Sequence, residues 1–402
     1  MKTRRIALRA LANGRLVCAD LNLGGEFPLA ANRDAIGPWE TFEVIELDEG
    51  NGSVVVEPPR PIPEPIPPTP PPISPSPGGP ILDRVVRITD EQDGELLPRM
   101  YSYWSNAVIL GDGIYVFAGS ASGLPRFFRV SRSGEVTRLG PLLLYPGTAE
   151  GWYWDAHGWI YLLHGSELRR VHPFTGNDRV VFSIRETHPG CRLWQAHSSE
   201  DGQTHSATVE QIVEEGPYPR LGTVVSRYGE QRYFAARGAL DESQITPDGA
   251  FLIIKEDDDN RIITLETGEQ RIIREADGAV GHSDCGPGIV VGEFSHGDYG
   301  ECVLWDLRGP LTLLDHRRVL FKTWNMGHLS IRGGICLLSN AEGLHVVDLD
   351  RGGVRFIGNH GMRSDGTYDT QCRANLDPTG RIACYMSNRE GRMDVYLAPV
   401  PR

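Results

Sequence analysis

Seven places in the chain put a hydrogen-bonding or titratable side chain at the start of a short apolar run: Asn106, Glu150 with Trp152 and Trp154, Gln195 with His197, Glu242 with Gln244, His282 with Asp284, His328, and Gln371 with Arg373. Amides, carboxylates, imidazoles and a guanidinium beside indole rings are what a sugar needs, because its hydroxyls take hydrogen bonds while its apolar face stacks on an aromatic ring. Those residues are the candidate ligand contacts, with Trp152 or Trp154 as stacking platform. Some of them could also do chemistry. A β-elimination needs a base near the proton to be removed and a donor or cation to stabilise the enolate-like oxyanion. His197 or His282 could be that base, and Arg192 or Arg373 the stabiliser. A divalent metal is a further candidate, since His282, Cys285 and His328 offer nitrogen and thiolate donors of the kind zinc accepts. Each residue also has a quieter role open to it: a histidine can bond a neighbouring carbonyl and an arginine can pair with a carboxylate.

Such residues act together only if the fold brings seven distant segments to one place. Taken as markers, Asn106, Glu150, His197, Glu242, His282, His328 and Gln371 recur at intervals of 44, 47, 45, 40, 46 and 43 residues. Between them lie short β-rich runs with no 3.6-residue periodicity. The unit is an apolar strand, a Gly-containing turn and further strands, as in Thr246-Pro247-Asp248-Gly249 followed by Ala250 to Ile254, and again after Ala156-His157-Gly158 and Pro378-Thr379-Gly380. Repeats of about 40–50 residues made only of strands form a propeller, whose inner strands open onto a central funnel. The spacing therefore predicts an all-β, seven-bladed β-propeller over residues 81–402. The last blade runs out after Val395 to Leu397, and Leu82 to Thr89 is an unassigned strand. The economical arrangement lets that strand complete the last blade and remove two open sheet edges.

The closing stretch, Asn375-Leu376-Asp377-Pro378-Thr379-Gly380-Arg381-Ile382-Ala383-Cys384-Tyr385-Met386-Ser387-Asn388-Arg389-Glu390-Gly391 with Asp394-Val395-Tyr396-Leu397, resembles propeller repeats of the TolB type. From Gly327-His328-Leu329-Ser330 onward the chain is also similar to oligogalacturonate lyases, seven-bladed enzymes that cleave pectic fragments by metal-assisted β-elimination. That resemblance implies a polysaccharide lyase acting on uronate-containing glycans. The chain departs from it at the family's Gln-x-x-His-x-His metal cluster, because Tyr368 to Arg373 reads Tyr-Asp-Thr-Gln-Cys-Arg.

Ahead of the propeller the composition changes. Residues 57–80 hold thirteen of the 29 prolines. Proline fixes φ and removes the amide donor, so this linker is expected to run as a semi-rigid polyproline II spacer. Residues 1–50 alternate as short strands around Asn13-Gly14, a hairpin signal. Ala7-Leu8-Arg9-Ala10 through Ala19, with Ala31-Asn32-Arg33-Asp34-Ala35-Ile36-Gly37-Pro38-Trp39-Glu40-Thr41-Phe42, resembles a single fascin-like β-trefoil repeat. One third of a trefoil has too small a core to stand alone. A homotrimer through residues 1–50, or docking on another protein, follows.

A formal net charge of -13, with no basic stripe, argues against nucleic acid, whose phosphates need clustered Lys and Arg. No run reaches the ~18 apolar residues of a membrane helix, so no membrane insertion is expected. Arg9 and Asn13 interrupt what would be a signal-peptide core, which points to cytoplasmic synthesis without one. The seven cysteines show no Cys-x-x-Cys spacing and read as reduced core residues. The acidic run Glu256 to Asn260 lacks calcium-loop spacing and reads as a solvated turn. No P-loop, nucleophile elbow or His-Glu-x-x-His motif occurs. The expected function is glycan recognition or adhesion by a propeller displayed on a stalk, as on a phage fibre or virion surface. The alternative is a polysaccharide lyase.

Overall fold

The computed structural model describes strands Ile6–Ala10, Leu16–Cys18 and Phe42–Glu46, and residues 82–401 apart from positions 98–99, 141, 144, 146–148, 297–298, 310, 312–316 and 324–326. The chain divides into two compact units, Met1–Thr69 and Pro70–Arg402. In the first, Ile6–Ala10 lies between the other two strands and pairs antiparallel with both. The expected trefoil character rests largely on positions outside the described residues, as does the whole proline tract.

The second unit is a propeller of seven four-stranded antiparallel sheets. The inner strands of blades 1 to 7 are Ala107–Leu110, Tyr153–Trp154, Cys191–Ser198, Leu240–Ile245, Ser283–Gly286, His328–Arg332 and Asn375–Leu376. Buried Val, Ile, Leu and aromatic side chains fill the spaces between neighbouring blades rather than one central core. The repeating turn after each inner strand has a clear cause. Asp155 accepts from His157 and Trp159 amides at 2.8 and 3.0 Å, and Asp377 accepts from those of Arg381 and Ile382 at 2.7 Å each. The carboxylate thus caps turn amides that no ladder reaches. Gly380, at φ 68°, completes one such turn where a Cβ would come within 2.5 Å of the Arg332 carbonyl, so only glycine fits.

The ring closes as the orphan strand implies. Val86–Arg87 is the outer strand of blade 7, paired with Leu397 and Tyr396. The fully buried Asp394 carboxylate holds the joint, accepting from Arg87 at 2.7 Å and Thr89 Oγ1 at 2.9 Å. Leu82, Val86 and Ile88 pack with Val395, Leu397 and blade 1 in one cluster. The acidic run is a hairpin turn with Asp257 and Asp258 exposed at its tip, as read, while the flanking Glu256 is buried against Arg261 at 2.7 Å.

Candidate functional site

The inner strands begin at one end of the ring, and there the central channel is filled. Tyr101-Ser102-Tyr103-Trp104, ahead of blade 1, occupies it, with Tyr103 and Trp104 buried. Tyr103 Oη donates to Glu242 Oε2 at 2.9 Å and accepts from Gln195 Nε2 at 2.8 Å. Trp104 Nε1 donates to the Ala196 carbonyl at 2.9 Å. Glu242 also pairs with the buried Lys255 ammonium, which donates to the Gly281 carbonyl as well. Asp284 accepts from the Ile331 and Cys285 amides and from Arg332, whose other arm donates to the Tyr103 carbonyl at 2.8 Å. Blades 3 to 6 are thus tied to one aromatic plug.

Gln195 reaches Tyr103 at the cost of local regularity. Its backbone is left-handed at φ 43°, at a bulge that breaks the pairing of blade 3 between Trp194 and Ala196. A non-glycine residue there is uncommon and marks a position held by its surroundings.

The funnel was expected to be open and polar, and the plug corrects this. His197 is buried against Tyr103, ring centroids 5.1 Å apart, and burial, with Arg332 and Lys255 nearby, lowers its pKa to about 3. His328 stacks on Tyr101 at 5.4 Å, and burial, then the neighbouring His282, pushes its pKa well down. Asp284 is raised to about 6 by burial, against the pull of Arg332. Gln244 is engaged with the Ser283 carbonyl and the Cys285 thiol. Asn106 and Asn375 bond each other across the seam of blades 1 and 7 at 2.9 Å. Trp152 and Trp154, 5% and 2% exposed, pack with Phe117 between blades, so neither offers a stacking face. Glu150 is exposed on a turn. Arg192 is spent on Glu210 at 2.7 Å and on the Tyr218 ring at 4.1 Å.

What remains at the mouth is a small group around Tyr101. His282 is half exposed, with Nδ1 3.6 Å from Glu293 and its ring 4.7 Å from His328. The Arg373 guanidinium lies 5.7 Å from the Tyr101 ring and 3.9 Å from Asp369. Arg373, Gln371 and Asp369 line, with Met100, Met362 and Met386, a shallow hollow with room for about one water molecule. Of the expected contacts, His282 and Gln371 are exposed, whereas His328 and Arg373 are buried, each against the Tyr101 ring. Tyr101 was missed, because it precedes the first repeat.

A metal does not fit this donor set. Arg373 offers no ligand, because a guanidinium is a cation without a lone pair to give. The Cys285 thiol is buried, donating to Gln244, and burial raises its pKa well up. Among the described residues no three His, Cys, Asp or Glu side chains converge on one point.

The fold defines the class as a seven-bladed β-propeller. No protein-family model matches the sequence, and no curated protein matches it either. Among solved structures, the oligogalacturonate lyase of Vibrio parahaemolyticus aligns with a TM-score of 0.58 at 12% identity, over 79% of this chain and 94% of that one. An oligogalacturonate lyase in complex with manganese aligns with a TM-score of 0.59 at 15% identity, over 79% and 93%. The chain is similar to these propellers in fold.

Proposed function

We propose that the chain is a glycan-recognition propeller that binds an acidic saccharide at the plugged mouth of its channel and does not perform metal-assisted elimination. The carrying observation is Arg373: a guanidinium held 5.7 Å from the Tyr101 ring lines, with the exposed Gln371, a hollow beside that ring. A guanidinium can pair with a sugar carboxylate, while amide and imidazole take hydroxyls. The proline-rich linker and N-terminal module would make this head multivalent, in keeping with adhesion or a virion-surface fibre.

Titration calorimetry with trigalacturonate and with neutral maltotriose tests the reading. Binding of the acidic trimer alone, weakened at least about tenfold by Arg373→Ala, is expected, since a lost charge-assisted hydrogen bond costs about 1.5–3 kcal/mol. Equal binding of both sugars, or of both proteins, would overturn it. One observation favours a lyase instead. Half-exposed His282, facing Glu293, could take the proton α to the uronate carboxyl while Arg373 steadies the enolate and the C4 oxygen departs with a proton. Growth of the unsaturated product's absorbance, abolished by His282→Ala, would establish that chemistry and displace the first reading.

A further inference from the structure

A second cleft lies at the opposite end of blade 3, beside the turn between its third and fourth strands, Arg220–Arg227 and Glu230–Ala235. That turn also meets the one joining the blade's first two strands, through the Tyr228 amide and the Gln203 carbonyl at 3.0 Å. Val225, Arg227, Tyr228, Glu230, Arg232 and Leu265 line about 580 Å³ of empty space, its open mouth included.

Three features of this cleft have no account in the packing. The chain is acidic, and arginines elsewhere in the propeller are commonly matched to carboxylates, as Arg138 is to Asp93 and Arg261 to Glu256. Among the described residues, neither Arg227 nor Arg232 has a carboxylate within ion-pair distance. Arg227 Nε is buried without a hydrogen-bond partner, and Arg232 reaches only the Leu265 carbonyl, at 3.4 Å. Tyr228 is 68% exposed and yet left-handed, at φ 51°, in a two-residue turn with Gly229 at φ 85°. That first turn position favours Asn, Asp or Gly, and a bulky aromatic there costs stability. The ring nevertheless stays beside the cleft, 5.3 Å from the Arg227 guanidinium.

We infer that this cleft is a binding site for a small organic anion, its carboxylate or phosphate held by Arg227 and Arg232 and its ring laid against Tyr228. Two guanidinium groups match the geometry of an oxyanion, and a strained exposed tyrosine beside them supplies a flat apolar surface. Val225 and Leu265 give the wall an apolar character that inorganic ions do not need. The site is independent of the channel mouth.

The full chain is titrated with galacturonate, glucose 6-phosphate, inorganic phosphate and glucose, followed by the chemical shift of labelled arginine side chains and by calorimetry. Saturable binding of galacturonate or glucose 6-phosphate, with glucose silent, is expected, and the stronger of the two identifies a carboxylate or a phosphate source. Arg227→Ala should weaken it at least tenfold, as read at the Arg232 side-chain signal of the cleft itself. Tyr228→Asn separates binding from folding: it should raise the melting temperature by relieving the turn while weakening the sugar anion severalfold. Equal affinity for inorganic phosphate and the sugar anions, or Tyr228→Asn binding like the parent, would remove the ring from the site. No saturable binding by any anion, or binding untouched by Arg227→Ala, would overturn the proposal.

Discussion

Tyr103 is the residue on which the centre of the ring turns, because one hydroxyl satisfies two buried groups from different blades. Tyr103→Phe leaves Glu242 and Gln195 each short of a partner in a dry interior, and should cost about 1–3 kcal/mol, read as a lower urea midpoint. The buried histidines set a pH dependence. Unfolded His197 takes a proton below about 6.5, whereas the native residue resists until about 3, so each pH unit in that window costs ~1.4 kcal/mol. His205, lowered to about 4 by burial, adds to this. Asp284 works the other way, since its native carboxyl protonates near 6 and the unfolded one near ~3.9, so it returns stability as pH falls. Buried His328 adds a third loss and Asp377, raised by burial, a second gain, so the losses prevail and the melting temperature should drop between about pH 7 and about pH 5, less steeply in His197→Gln. A flat profile in the parent protein would contradict the burial of these imidazoles.

At the scale of elements, the short strand Val86–Arg87 does more than its length suggests, because it covers blade 7 and links it to blade 1. A chain beginning at Gly79 should melt as one cooperative unit and stay soluble. One beginning at Asp90 should expose a sheet edge, lose the Arg87 and Thr89 partners of Asp394 and aggregate; equal melting curves for the two would refute the closure. This latch and the seven blades were legible in the sequence for a local reason. Each blade is built from neighbouring strands, and Asp-x-x-Gly turns such as Asp377 to Gly380 announce where the next one starts. The site was less legible. Tyr101 to Trp104 carry no periodic signal, and the bond from Tyr103 to Glu242 spans 139 residues of sequence. Trp152 and Trp154 misled because alternation along a strand tells which residues share a face, but in a propeller blades cover both faces.

For the whole molecule, the expected N-terminal trimer is an independent question. Light scattering should report about three times 44.4 kDa for the full chain, and removal of residues 1–48 should return a single copy. Three heads on stiff linkers would then turn weak sugar contacts into avidity. A monodisperse full-length monomer would leave the N-terminal unit as a docking tag. The latch carries one more consequence, for the protein's birth. Ribosomes deliver Val86 roughly 300 residues before its partners Tyr396 and Leu397, so the ring cannot shut until that last strand has been made. Early blades must wait with a bare edge on each side, and a transcript cut short anywhere before the last strand yields no closed ring. Arrival of the strand Asp394–Pro399 is itself the checkpoint for closure.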